Sequence, residues 1–243
     1  TNRGASWTEN TSATQGLYFP ANTCLYTIGD KVWMASGTLE ASNSDYKIWA
    51  GNFNASRTAI TWNGGWSNFW GPTSDYMIMG GMLVHAEGSG YKMHLVFTNR
   101  WYDDCRYSRF TMLSNGNYSS TDVSNSQWDT SGVESTGFSN ILIDPATKDI
   151  FFVHLRNGSS PSLMFQKRAY TSATWPAGTV RTLYTCNYYS SEIRTAFDGD
   201  RVVVAFADGT VNDDTPIILE RDKADTTTTT RTPPSGINGS IGS

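Results

Sequence analysis

Asp198-Gly199-Asp200-Arg201-Val202-Val203-Val204-Ala205-Phe206 is a tight acidic-glycine turn feeding a run of β-branched and aromatic residues. The same device occurs three more times, as Gly29-Asp30-Lys31-Val32-Trp33-Met34-Ala35, as Gly90-Tyr91-Lys92-Met93-His94-Leu95-Val96-Phe97 and as Lys148-Asp149-Ile150-Phe151-Phe152-Val153-His154-Leu155. Lys31, Lys92, Asp149 and Arg201 then stand 61, 57 and 52 residues apart. A supersecondary unit returning at such a period marks a repeat architecture.

Working outward from these anchors, each repeat reads as four strands. An innermost strand precedes the turn: Cys24–Ile28, Gly81–Ala86, Asn140–Asp144 and Ile193–Asp198. A third follows a longer polar loop: Tyr46–Gly51, Arg106–Leu113, Ser162–Tyr170 and Pro216–Arg221. Tyr46, Arg106, Leu163 and Pro216 lie 60, 57 and 53 residues apart, tracking the first series. Fourth strands are expected around Thr61-Trp62, around Thr174-Trp175 and in the threonine run 226–230. Asn2-Arg3-Gly4-Ala5-Ser6-Trp7 reads as the close of a further blade, and 236–243 as a Gly/Ser linker or loose tail. The expected domain is therefore 1–235, with a blade fragment at 1–15 and repeats at about 16–75, 76–135, 136–190 and 191–235. Four-stranded units stacked radially make an all-β β-propeller, either complete or part of a larger ring. A two-sheet sandwich also suits evenly spaced strands, but it does not require self-similarity every 52–61 residues.

Composition agrees with this class. Charged residues are 16% of the 243 and aromatics 13%, with nine Trp, a mixture poor in helix formers. The net charge of −4 comes without a basic cluster, which argues against nucleic acid as a partner. No apolar run approaches a membrane span. Cys24, Cys105 and Cys186 are too widely spaced for a metal site and read as buried thiols, so neither metal nor cofactor is expected.

Several stretches resemble the BNR, or Asp-box, repeat of sialidase-like propellers, Ser-x-Asp-x-Gly-x-Thr-Trp. Asn2-Arg3-Gly4-Ala5-Ser6-Trp7 keeps a Gly and a Ser-Trp ending. Ala55-Ser56-Arg57-Thr58-Ala59-Ile60-Thr61-Trp62 and the segment ending Thr174-Trp175 keep Thr-Trp. Asp222 to Thr229 holds the position without the Trp, and Asn115-Gly116-Asn117-Tyr118 is the counterpart in the second repeat. The resemblance implies a propeller whose motif turns lie on the face opposite the functional one. Trp62 and Trp175 are then expected to pack blades.

On the functional face the expected loops are 36–45, 98–104, 156–161 and 207–215, with the inter-blade loops 63–75, 125–138 and 185–192. Aromatics concentrate there beside polar groups, a pattern suited to stacking on sugar rings. The expected ligand-binding residues are Arg100, Trp101, Tyr102, Asp103, Asp104, Trp66, Trp70, Trp128, Tyr188 and Tyr189. His85, His94 and His154 lie among apolar strand residues and are expected to be structural. Sialidase-like enzymes would need an arginine cluster, a Tyr–Glu nucleophile pair and an aspartic acid. Arg100, Arg194, Glu192, Tyr189 and Asp103 are the types available, but the early Phe-Arg-Ile-Pro setting is missing and Glu192-Ile193-Arg194 comes nearest. The sequence thus leads to an expected non-catalytic module that binds a glycan or surface receptor, on a virion such as a phage tail fibre or extracellularly, among other subunits of a larger assembly. A sialidase-like glycoside hydrolase and a purely structural assembly domain are the alternatives.

Overall fold

The computed structural model describes residues 21–37, 45–69, 77–99, 104–129, 139–156, 160–171, 180–187, 193–210 and 213–231. They form sixteen strands: β1 (Ala21–Ile28), β2 (Lys31–Gly37), β3 (Asp45–Phe53), β4 (Ile60–Phe69), β5 (Met77–Glu87), β6 (Gly90–Asn99), β7 (Asp104–Met112) and β8 (Tyr118–Asp129), followed by β9 (Ser139–Ile143), β10 (Asp149–Arg156), β11 (Ser162–Ala169), β12 (Arg181–Thr185), β13 (Ile193–Phe197), β14 (Arg201–Thr210), β15 (Asp213–Asp222) and β16 (Thr228–Arg231). Consecutive groups of four pair antiparallel in chain order, giving four sheets and a four-blade β-propeller. The innermost strands β1, β5, β9 and β13 are neighbours in that order.

The hairpins that announced the repeats share one backbone device. Gly29, Gly88, Lys148 and Gly199 take φ of 60°, 59°, 62° and 100° between first and second strands. Glycine adopts this left-handed region without the Cβ penalty. Asp198 caps its own turn, accepting from the amides of Asp200 at 2.9 Å and Arg201 at 2.7 Å. Those amides hold its carboxyl below the usual carboxylate range.

Second strands β2, β6 and β10 are buried on both faces, which explains their apolar runs, whereas β14 alternates buried Val202, Val204 and Phe206 with half-buried Val203 and Ala205. In β10, Ile150 and Phe152 enter the cluster shared with the second blade, while Phe151, Val153 and Leu155 enter the one shared with the fourth. In β6, Met93, Leu95 and Phe97 point toward the first blade and Val96 toward the third. Each seam is thus a slab of interdigitated side chains contributed by adjacent sheets. At the axis, β5 and β9 approach closely: a Cβ at Gly81 would sit 3.2 Å from Ile141 and 3.3 Å from the Asn140 carboxamide oxygen.

Turns between third and fourth strands are tied to the preceding blade. The buried Trp33 indole donates to the Gly116 carbonyl at 2.8 Å. Arg109 donates to the Tyr170 carbonyl, and Lys167 to the Lys223 carbonyl at 2.6 Å. Within these turns Asn54 accepts from the Thr58 amide at 2.8 Å, and Asp222 from those of Thr226 and Thr227 at 2.8 and 2.7 Å. The positive φ that the motif gives to glycine falls here on Arg57, Gly116 and Asp225.

Three boundaries differ from the sequence expectation. Residues 63–69 and 125–129, expected as loop, extend β4 and β8. Most of 207–215 is strand, with Gly209 paired to Asp214 and Thr210 to Asp213. The long polar outer strands β4 and β8 hid the first two, because they lack the alternation that marks a half-buried strand. In the third blade the fourth strand is β12, later than Thr174-Trp175. Trp175, the N-terminal fragment 1–15 and the 236–243 tail lie outside the described residues. Trp62 is half-buried against its own blade: a Cβ at Gly51 would lie 3.0 Å from its ring.

Replacing Trp33 tests the seam. Trp33→Phe keeps a ring there but strands the buried Gly116 carbonyl, and should cost about 1–3 kcal/mol in urea unfolding. Trp33→Ala should cost about 3–5 kcal/mol. A Phe variant as stable as the parent would show that the indole hydrogen bond contributes nothing.

Candidate functional site

Strand pairing decides which ends can share a site. Ala21 pairs with Gly37, Gly37 with Tyr46, and Asp45 with Phe69. Hence the inner strand begins, the second ends, the third begins and the fourth ends at one and the same end of the blade. The hairpin turns and their ties occupy the other end. All the expected ligand-contacting segments leave from the first end.

Of the ten expected site residues, Trp66, Asp104 and Trp128 have described backbones. Trp66 lies on β4 opposite Ile48, and Asp104 opens β7 opposite Asn99. Trp128 falls at a bulge in β8, where Cys105 pairs with Asp129 and Arg106 with Gln127. Trp66 and Trp128 therefore stand on outermost strands instead of loops. Trp70, Arg100, Trp101, Tyr102, Asp103, Tyr188 and Tyr189 lie outside the described residues, as does Glu192. Arg194, the second residue of inner strand β13, is exposed, alternating with buried Ile193.

A polar cluster centred on one buried carboxylate roots this end between the third and fourth blades. Asp208 on β14, 4% exposed, accepts from the Tyr184 hydroxyl at 2.9 Å, the Asn187 amide at 2.8 Å and the Asn187 side chain at 3.0 Å. The next backbone link is the Cys186 amide donating to the Pro161 carbonyl at 2.7 Å. Tyr184 packs edge-on against Phe206, ring centroids 5.3 Å apart. Burial first, and then the hydrogen bond to Asp208, raise its phenol pKa. The cluster fixes the root of the segment that carries Tyr188, Tyr189 and Glu192. It was visible in the sequence as one carboxylate continuing the buried phase of Val202, Val204 and Phe206. Cys24, Cys105 and Cys186 are not joined in disulfides, and burial pushes the thiols of Cys24 and Cys186 up to about 11 and about 12. Among the described residues no three His, Cys, Asp or Glu side chains gather as a metal site.

No protein-family model and no curated protein matches the chain. Solved structures do. A thermostable family-43 glycoside hydrolase superposes with a TM-score of 0.52 at 10% identity, over 89% of this chain and 72% of that one. A glycoside hydrolase family 43 endo-arabinanase from Bacillus licheniformis gives 0.49 at 10% identity, over 83% and 73%. A puromycin-hydrolyzing peptidase of Mycobacterium tuberculosis gives 0.45 at 13% identity, over 85% of this chain and 31% of that one. The first of these establishes likeness of fold, and the other two are too distant to add weight.

The expected non-catalytic glycan- or receptor-binding module is corrected by this finding: the fold is one shared with a glycoside hydrolase, over 89% of this chain. The error has a physical source. A local arginine motif is a poor signal in a propeller, which brings together segments of different blades that no local spacing reveals.

Removing the anchor should loosen this end. Asp208→Ala leaves the half-buried Tyr184 hydroxyl and the Asn187 amide without their acceptor, an expected loss of about 1–2 kcal/mol, against about 1 kcal/mol or less for Tyr184→Phe. Chemical denaturation of both variants measures it. Equal midpoints for Asp208→Ala and parent would show that the carboxylate anchors nothing.

Proposed function

We propose that this chain is a glycoside hydrolase that cleaves a carbohydrate at the end of the propeller where the inner strands begin. The observation that carries this reading is the fold, shared across 89% of the chain with a family-43 glycoside hydrolase. The topology supports it by sending the connections that carry Asp103 and Glu192 to that end. Glycosidic cleavage asks for two carboxyl groups flanking the bond, one protonating the leaving oxygen and the other acting as nucleophile or activating water. Glu192 immediately precedes inner strand β13, and Asp103 precedes β7. Both segments join strands that run to this end. We assign them the acid and base or nucleophile roles, with Arg194 and Arg100 binding polar substituents of the sugar. Trp66, Trp70, Trp101, Tyr102, Trp128, Tyr188 and Tyr189 would cover apolar sugar faces, and Asp104 would take hydroxyls. Kinship with Asp-box propellers belongs to the same proposal, supported by the capped turns at Asn54 and Asp222.

A panel of chromogenic glycosides, a fluorogenic sialoside and polysaccharides including arabinan tests it. The parent should release product from at least one member. Glu192→Gln and Asp103→Asn should each lower turnover by about 100-fold or more while leaving the unfolding midpoint in place. Hydrolysis that survives in both variants would remove these assignments, and no hydrolysis across the panel would remove the activity.

A further inference from the structure

The seam between second and third blades is unlike the other two. Its apolar cluster surrounds a file of hydrogen-bonding rings, all carried by the second blade. His85 and His94 are diagonal neighbours on one face of the β5–β6 hairpin, where Leu83 pairs with His94 and His85 with Lys92. Their Nε2 atoms are 3.1 Å apart. Ring planes 22° apart and centroids 5.2 Å apart mean that the rings meet tip to tip. His94 Nδ1 is 2.7 Å from the Tyr107 hydroxyl, and His85 Nδ1 is 3.2 Å from the Ala86 carbonyl. His94 and Tyr107 are fully buried, and His85 is 9% exposed.

One of these partners fixes the direction of the others. A carbonyl only accepts, so His85 carries its proton on Nδ1, and its neutral Nε2 is bare. His94 must then donate from Nε2, which leaves its Nδ1 to accept from the Tyr107 hydroxyl. The chain reads Tyr107 to His94 to His85 to Ala86, every donor pointing toward the hairpin end.

The third blade sits directly on this chain. Phe152 packs edge-on against Tyr107 at 5.6 Å and Tyr170 against His85 at 5.5 Å. The Arg168 guanidinium lies over the Tyr107 ring, 5.2 Å from its centre. Arg109 reaches across to the Tyr170 carbonyl. The surroundings are rich in cations: Lys92 on β6, Arg109 on β7, Lys148 in the β9–β10 turn and Arg168 on β11. Against them stand Glu87 beside His85, and Asp122 on β8. Asp122 is already engaged by Lys92 at 2.6 Å and Thr111 at 2.8 Å, with Arg109 at 3.4 Å.

We propose that the Tyr107–His94–His85 chain is an acid-sensitive joint, holding the second blade to the third at neutral pH and releasing it in acid. A first proton can be accommodated at His85 Nε2, near Glu87, provided His94 switches its own proton to Nδ1, so that the His94–His85 and Tyr107–His94 hydrogen bonds reverse while His85 Nδ1 still donates to the Ala86 carbonyl. A second proton sets two N–H groups against each other at 3.1 Å, beneath Arg168 and beside Arg109. The blades then relieve the repulsion by parting. Burial is the main cause holding both imidazoles below their ordinary pKa, reinforced at His94 by His85, Arg109 and Arg168. Because the folded values lie below the unfolded value of about 6.5, the unfolded chain takes up the protons first. Stability contributed by the joint is therefore complete above about pH 6.5 and is lost as pH falls further.

Two measurements on the native protein and one variant test this. Long-range 1H–15N spectra at pH 7.5 should show neutral His85 protonated on Nδ1 and neutral His94 protonated on Nε2. The opposite tautomer at His94 overturns the chain. Between pH 7.5 and pH 5, amide protection corrected for intrinsic exchange should fall by about tenfold or more at Val96, Tyr107 and Phe152, and by less than about threefold at Val204 and Phe206. Equal losses in both groups would show general acid unfolding and overturn the joint. His85→Gln keeps an acceptor for His94 without a titrating ring. It should raise the ratio of the folding constants at pH 5 and pH 7.5 by roughly threefold or more. An unchanged ratio overturns the proposal.

Discussion

Each sheet of this propeller is held by what crosses to its neighbour. Three donors make the same move at three successive seams: Trp33 reaches the Gly116 carbonyl, Arg109 that of Tyr170, and Lys167 that of Lys223. In every case the acceptor lies in the connection between third and fourth strands of the following blade. The donors differ in chemistry and sit on different strands, so the position is preserved while the residue is not. A buried carbonyl without a donor costs more than the hydrogen bond contributes, which makes these ties registers for blade placement. Around them the second strands supply apolar area, β2, β6 and β10 from both faces and β14 mainly from one.

This division of labour leaves the two ends unequal. The hairpin end is closed by short turns, capped by Asp198, Asn54 and Asp222, and stitched across the seams. The opposite end carries the longer connections, and Asp208 is its firmest described anchor. A rigid scaffold that presents variable segments at one end is the usual setting for chemistry built from several loops. The seams differ too. Those flanking the first and fourth blades are filled mainly by aliphatic and aromatic groups, whereas the central seam places His94, Tyr107 and Arg168 among Val96, Ile150 and Phe152. Such a polar seam ties blade association to protonation, which the apolar seams do not.

Much of the architecture could be read from residue order. The acidic-glycine turns repeat because each hairpin needs one residue of positive φ, and Gly29, Gly88 and Gly199 supply it; Lys148 meets the same need without glycine. Inner, second and third strands were legible because their apolar content is dictated by burial. Outer strands were not, since β8, with Ser119, Ser120, Ser124 and Ser126, has little apolar pattern to betray it. Of the candidate site, the expected segments leave from one end of the blades, while Trp66 and Trp128 stand on strands and Asp208 carries no local motif that marks it.

What the chain determined by itself is local: four β units of similar length, the turns within them, and which residues must be hidden from water. Turn geometry and strand burial follow from neighbours a few positions apart, so sequence carries them. What only the assembled propeller decided is which hidden residues meet. Trp33 finds Gly116 and Asp208 finds Asn187, across 83 and 21 positions and from one blade to the next. Those pairings depend on how wedge-shaped sheets pack about an axis, a geometry set by all four blades at once.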